Sequence, residues 1–235
     1  MKLSNNPSLS IRIPVLNEES NIVRLLEYIR ENSSNVNIKE ILVVDGGSTD
    51  ETKEVASQYD VMVLHSEKGR ARQMNLGAEN AKGEVLYFLH ADTFPPKNFD
   101  KIILNAIKKG TKTGCFRMKF DSDSRFLSFF SWFSRINHKI CRGGDQSLFI
   151  TRELFNKSGG YDEAYKIYED NEFISRLYKI TDFKILPDQV QTSARKYEQI
   201  GNFKLQFYFG IIHLKNYLGA DPEQLYRYYK RKIST

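Results

Sequence analysis

Apolar residues gather in unbroken runs at Ile41-Leu42-Val43-Val44 and at Val85-Leu86-Tyr87-Phe88-Leu89. Runs of that length without polar alternation predict strands covered on both faces, as in a parallel sheet. Ser8-Leu9-Ser10-Ile11-Arg12-Ile13-Pro14-Val15 alternates and predicts a first strand with Pro14 near its end, and Val61-Met62-Val63-Leu64 predicts a short one. Between these the period lengthens to that of a helix. Ile22, Leu25, Leu26 and Ile29 share one face, as do Phe99, Ile102, Ile103, Ala106 and Ile107, and a helix entered from Gly69 stops near Gly83. This alternation predicts βαβ units and a mainly parallel sheet. Right-handed crossovers bring the carboxyl ends of its strands to one edge.

The texture changes after Gly110. A strand is predicted from Cys115 to Phe120, and Phe126 to Ile136 reads as a helix apolar nearly all round, which suits core, a docking surface or lipid. Gln146 to Ile150 predicts a strand, Glu169 to Tyr178 a helix with Phe173, Ile174 and Leu177 inward, and Phe203 to Leu218 another helix. Asp221-Pro222 is a helix start with Asp as cap and Pro at the first position. No internal repeat or low-complexity segment interrupts the 235 residues, enough for one large domain or two small ones with a substantial core.

Composition narrows the partners. The 40% apolar and 27% charged content is that of a globular protein. The net charge of +6 suits an anionic small molecule or a membrane surface. Its lysines and arginines are scattered, so no nucleic-acid partner is expected. Cys115 and Cys141 stand in no paired motif and are expected to be reduced thiols. No apolar core follows Lys2 and no uncharged stretch reaches membrane-spanning length, so a cytoplasmic enzyme or binding protein is expected.

Candidate chemistry begins where Ile41-Leu42-Val43-Val44 ends on Asp45 and crosses Gly46-Gly47. Asp-Gly is also a hairpin signal, but Glu51 to Gln58 has helical composition, which favours a strand-to-helix turn with Ser48 or Thr49 as cap. Ligands bind at the carboxyl ends of strands in open α/β sheets. Asp92 follows the other buried run, so parallel connectivity brings two acids to one edge, a setting for a nucleoside and a metal-bound diphosphate.

Four motifs then occur in order: Pro14-Val15-Leu16-Asn17-Glu18, Val43 to Thr52, Gly83 to Asp92, and Gly159-Gly160-Tyr161-Asp162-Glu163 followed by Glu169-Asp170. Together, over residues 8 to 180, they resemble the family 2 inverting glycosyltransferases of the GT-A fold. Gly69-Arg70-Ala71-Arg72-Gln73-Met74-Asn75, Gly144-Asp145-Gln146 and Thr192-Ser193-Ala194-Arg195-Lys196 are similar to the arsenosugar-biosynthesis-type branch.

The resemblance implies a single GT-A domain over 1–235, a Rossmann-like α/β/α sandwich. Residues 8–110 would form the nucleotide-sugar-binding half, 111–190 the acceptor-binding half and 191–235 a C-terminal helical tail. It implies a hexosyltransferase that moves a sugar from a UDP- or GDP-sugar to an acceptor hydroxyl with inversion. Pro14, Asn17, Glu18 and Asp45 match positions around the nucleoside. The family's Asp-x-Asp metal motif stands as His90-Ala91-Asp92, with Ala91 and Asp92 on the nucleotide sugar and Asp92 on Mn²⁺ or Mg²⁺. His90 replaces the first acid; imidazole suits Mn²⁺ better than Mg²⁺, and the plain alternative is a histidine satisfied beside the site. Asp170 matches the base, with Glu169 as the alternative base and an ordinary acidic first turn as the plain alternative.

Arg70 and Arg72 are candidate diphosphate clamps, or a solvated helix face. Asp145 and Gln146 are expected on the sugar or acceptor side, or in a turn into a strand, and Arg195 is a weaker phosphate candidate. His65, His138 and His213 have no partner visible in the sequence. Three rivals remain: a nucleotidyltransferase, for which Pro14 to Glu18 lacks a glycine- and arginine-rich phosphate loop; a non-catalytic nucleotide-sugar-binding module; and a polyprenyl-phosphate glycosyltransferase in peripheral contact with a membrane.

Overall fold

The computed structural model describes residue 4 and residues 6–233, so Lys2, on which the leader expectation rested, lies outside the described residues. The first strand, β1 (Leu9–Val15), turns Leu9, Ile11 and Ile13 into one core layer and Ser10 and Arg12 to the other side. It leads into α1 (Glu19–Asn32), β2 (Ile38–Asp45), α2 (Thr52–Ala56), β3 (Met62–His65), α3 (Arg70–Asn80) and β4 (Val85–Phe88). A short β5 (Thr93–Phe94) and α4 (Phe99–Lys108) complete this half. Then come β6 (Thr113–Phe120), α5 (Arg125–Trp132), β7 (Leu148–Thr151), α6 (Arg152–Ser158), α7 (Glu169–Ile180) and β8 (Phe183–Thr192). Three helices close the chain: α8 (Arg195–Ile200), α9 (Asn202–Tyr217) and α10 (Pro222–Lys232).

The eight strands form one sheet in the order β3-β2-β1-β4-β7-β6-β8-β5. Neighbours β3 to β4 run parallel, as do β6 and β8, while β7 is antiparallel to both its neighbours and β5 to β8. In β4, Val85 and Tyr87 join the layer under α1 and α4, whereas Leu86 and Phe88 join the layer under α3, α6 and α7. Both faces are therefore covered, which is why its text is apolar throughout. The expected α/β/α sandwich is present.

Several expectations need correction. β8 was not foreseen. Its register on β6 slips between Phe116 and Arg117, where Leu186 and Gln189 are successive partners and Pro187-Asp188 bulges out. The strand expected from Gln146 starts at Leu148, because Gly144–Gln146 is a 3-10 turn. Ser48 and Thr49 do not cap α2; Asp50 accepts from the Thr52 N–H instead. Of the readings open for the aromatic segment, core is the one set aside: in α5 only Leu127 and Ser131 are buried. At the tail, Asp221 does cap α10, in a reciprocal capping box with Gln224.

Gly114 marks the tightest approach in the sheet. A Cβ there would overlap the Lys184 carbonyl and meet Phe149 Cζ at 2.8 Å. Gly114→Ala is expected to cost about 1–3 kcal/mol by overpacking, read as a lower urea midpoint at unchanged slope.

Candidate active site at the carboxyl edge of the sheet

The carboxyl ends of β1 and β2 are laced together by the loops that follow them. Asn17, held at a positive φ of 55°, accepts the Thr49 N–H at 2.8 Å, and Ser48 Oγ accepts the Asn17 N–H at 2.9 Å. The Glu18 N–H donates to Thr52 Oγ1 at 2.9 Å. Asp45 is fully buried and accepts the Gly47 and Ser48 N–H groups, both at 3.0 Å. Its carboxylate holds the turn in shape, and Gly47 supplies the left-handed residue the turn needs (φ 92°). From α3, Gln73 Nε2 reaches under this turn to donate to the Val15 and Val44 carbonyls at 2.8 and 2.7 Å. Gln73 is a positioning residue the sequence reading missed, although it lies inside the quoted Gly69-to-Asn75 motif.

The β4–β5 turn places His90 and Asp92 next to this cradle. His90 is buried, with Nδ1 3.7 Å from Asp145 Oδ1 and Nε2 3.6 Å from Asp170 Oδ2. Burial and the nearby Arg70 oppose its charge, but Asp145 and Asp170 outweigh them and push it up to about 9. Each ring nitrogen faces a carboxylate beyond hydrogen-bond distance, and buried Nε2 has no hydrogen-bond partner among the described residues. Asp92 differs: it accepts no hydrogen bond and forms no ion pair among the described residues, and its carboxyl pKa is raised by burial, against His90, and further by Asp145 and Glu18. Crowded, unpartnered negative charge of this kind is what a divalent cation would relieve.

Asp145 stands on the 3-10 turn Gly144–Gln146, and Glu169 and Asp170 open α7. A Cβ on Gly144 would overlap Asp170 Oδ2 and come within 2.5 Å of His90 Cε1, so only glycine lets the turn close on those groups. Arg142, buried just before the turn, fixes its path by donating to Gln146 Oε1 at 2.6 Å and to the Ser134 and Ile136 carbonyls. The Arg142 carbonyl accepts from Asn171 Nδ2 at 2.6 Å, which ties the turn to α7. Gln146 is thus buried and committed to Arg142 and the Cys141 carbonyl rather than turned to a sugar. Arg142 had no signal in the sequence beyond its place before Gly143-Gly144.

The two candidate clamps part company. Arg70 Nη1 lies 3.1 Å from Glu169 Oε1, and although burial works against its charge, Glu169 foremost, then Asp170, Asp145 and Asp92, keep it firmly cationic. Arg72 pairs with Glu67 and Glu163, away from these acids. Glu169 is buried with Oε2 unpartnered, and burial raises its carboxyl. Asp170 is the less enclosed of the two acids, with its side chain 9% exposed against 2%. Pro14, one residue before the end of β1, lies beside Val44, and Ala91 is buried in the β4–β5 turn. Arg195 reaches from the tail to Glu18 Oε1 at 3.2 Å and so closes one side of the cradle.

The other histidines all have partners. His65 lies 3.7 Å from Asp45, His213 shares a 2.8 Å hydrogen bond with Tyr168 Oη, and His138 Nδ1 accepts the Ile140 N–H. Cys115 and Cys141 are free thiols, and burial pushes Cys115 up to about 11. No group of three or more His, Cys, Asp or Glu side chains among the described residues is arranged to hold a metal by itself. The chain would supply Asp92 and leave the remaining positions to a ligand and water.

Residues 10–186 match the family model for glycosyl transferase family 2. The succinoglycan biosynthesis protein ExoA of Rhizobium meliloti is 27% identical over 76% of this chain and 60% of its own length. The chain spans less than two thirds of the first curated relatives it matches. Among solved structures, S. aureus TarS 1-349 in complex with UDP superposes with a TM-score of 0.67 at 20% identity, over 79% of this chain and 60% of that one. GalNAc-T7 with UDP, GalNAc and Mn²⁺ superposes with a TM-score of 0.66 at 18% identity, over 81% and 44%. The fold is that of the GT-A glycosyltransferases. No comparison singles out the arsenosugar-type branch.

Proposed function

The chain belongs to glycosyl transferase family 2, and on that premise we propose that it transfers a hexose from a UDP- or GDP-sugar to an acceptor hydroxyl with inversion at the anomeric carbon. The observation that carries this reading is the unpartnered carboxylate of Asp92 set among Arg70, His90, Asp145 and Glu18 at the edge where β1, β2 and β4 end. The loops after β1 and β2, with Pro14, Asn17, Glu18 and Asp45, form the nucleoside end. Asp92 would hold Mn²⁺ or Mg²⁺, which when bound supplies positive charge to a departing diphosphate.

Asp170 takes the proton of the acceptor hydroxyl while that oxygen bonds to the anomeric carbon and the bond to the diphosphate oxygen breaks. Arg70 opposes the negative charge that collects on the leaving group. His90, between Asp145 and Asp170, keeps both carboxylates in place. Glu169 balances Arg70. The acceptor approaches over Asp145, the half-exposed carboxylate on the Gly144–Gln146 turn.

Asp92→Ala is expected to weaken UDP binding in Mn²⁺ by about 1.5–3 kcal/mol, the worth of a hydrogen bond or contact to a charged group, which is roughly ten- to a hundredfold. Calorimetric titration of UDP into wild type and variant, each with and without Mn²⁺, reads this directly. An affinity that ignores both the ion and the substitution would remove Asp92 from the site.

A further inference from the structure

The aromatic segment, for which core, a docking surface and lipid all stood open, lies on the surface, and it is continuous with a second exposed stripe. Phe203, Phe207, Gly210, Leu214 and Tyr217 recur at intervals of four and three, so they share one face of α9. Phe203 is 76% exposed, Phe207 65% and Leu214 55%. The stripe joins α5 through Phe126, whose ring centroid lies 4.4 Å from that of Phe203, and α5 adds Phe129 at 60% and Trp132 at 53% exposure. Nothing in the catalytic reading uses this apolar surface.

The two segments that carry it hold cations and no acids, with Asp123 and Glu198 just outside them. No Asp or Glu occurs between residues 124 and 144 or between 199 and 220, whereas Arg125, Arg135, Lys139, Lys204 and Lys215 all do. A second copy is a poor occupant, because a two-fold interface brings a patch against itself and would oppose these cations with no carboxylate between them. Aromatic side chains set among lysines and arginines suit the boundary of a bilayer with anionic headgroups, where rings enter the interface and long cationic stems reach the phosphates. None of the helices among the described residues is long and apolar enough to cross a membrane. We infer that α5 and the exposed face of α9 seat this protein on an anionic lipid surface. After α5 the chain passes through the Phe133–Arg135 and Lys139–Cys141 turns to the Gly144–Gln146 turn that carries Asp145.

Trp132 is the chain's one tryptophan and lies in the patch, so it reports on the inference by itself. Vesicles of phosphatidylcholine with phosphatidylglycerol are expected to float the full chain, shift its emission to shorter wavelength and, when brominated lipid is included, quench it. Pure phosphatidylcholine vesicles are expected to do so at least about tenfold more weakly. Phe203→Ser with Phe207→Ser removes exposed rings and leaves Trp132 in place; anionic-vesicle binding is expected to fall about tenfold or more, with an unchanged circular dichroism spectrum. Lys204→Gln is expected to cost roughly fivefold. Failure to float with anionic vesicles, or flotation insensitive to the double substitution, would overturn the inference. A shift that grows with protein concentration in the absence of lipid would overturn it too, in favour of pairing between copies.

Discussion

Asp170→Asn is expected to lower transfer by roughly 10²–10⁴-fold, the usual worth of a positioned general base, while UDP binding in Mn²⁺ stays close to wild type. The reason is local. The amide keeps the size of the carboxylate beside His90 Nε2 at 3.6 Å but has no lone pair basic enough to take the hydroxyl proton. Donor binding depends on the loops after β1 and β2 and on Asp92, which the substitution leaves alone. Nucleoside diphosphate released from the preferred donor, measured with and without acceptor, separates the two effects. Glu169→Gln makes the contrast. It removes the negative charge that faces Arg70 at 3.1 Å, so it is expected to perturb donor affinity along with turnover. If Asp170→Asn turned over normally and Glu169→Gln did not, the base would be Glu169.

Gly144→Ala is expected to cost roughly 10²-fold in turnover, the scale attached to displacing a reacting group by about 1 Å. The added Cβ would overlap the Asp170 carboxylate and crowd the His90 ring, and Arg142 and Asn171 prevent the turn from simply backing away. Gly143→Ala is the matched control. That residue is extended, at φ −169°, and a Cβ there meets nothing within 4 Å. Its turnover and melting temperature are expected to match wild type. Equal losses in the two variants would mean that the turn tolerates no side chain anywhere, and that contact with Asp170 is not the cause.

Much of this arrangement is legible before any coordinates. Ile41 to Val44 and Val85 to Leu89 announce covered strands because helices do cover both faces, and Asp45 and Asp92 follow them to the same edge. The ordered motifs brought Arg70, His90, Asp145 and Asp170 forward, and these four do converge. What stayed hidden depended on tertiary context. Nothing local distinguishes Gln146, which is turned inward by Arg142, from Asp145, which faces the site. Arg70 and Arg72 read alike until the helix phase sends one toward Glu169 and the other toward Glu67 and Glu163. The bulge at Pro187-Asp188 concealed β8 by breaking its alternation. An aromatic helix leaves core, docking surface and lipid open because rings usually seek burial while its pattern does not say against what, and in α5 only Leu127 and Ser131 are buried.

The most direct measurement of the central claim is the melting temperature of the chain across a panel of nucleotide sugars, with and without Mn²⁺. A ligand at a hundredfold over its dissociation constant stabilises the native state by about 2.7 kcal/mol, roughly 5–10 °C for a chain of this size. A rise of that order with a UDP- or GDP-sugar, larger when Mn²⁺ is present and smaller in Asp92→Ala, is the expected result. A melting temperature that no nucleotide sugar moves, with or without the ion, would contradict it.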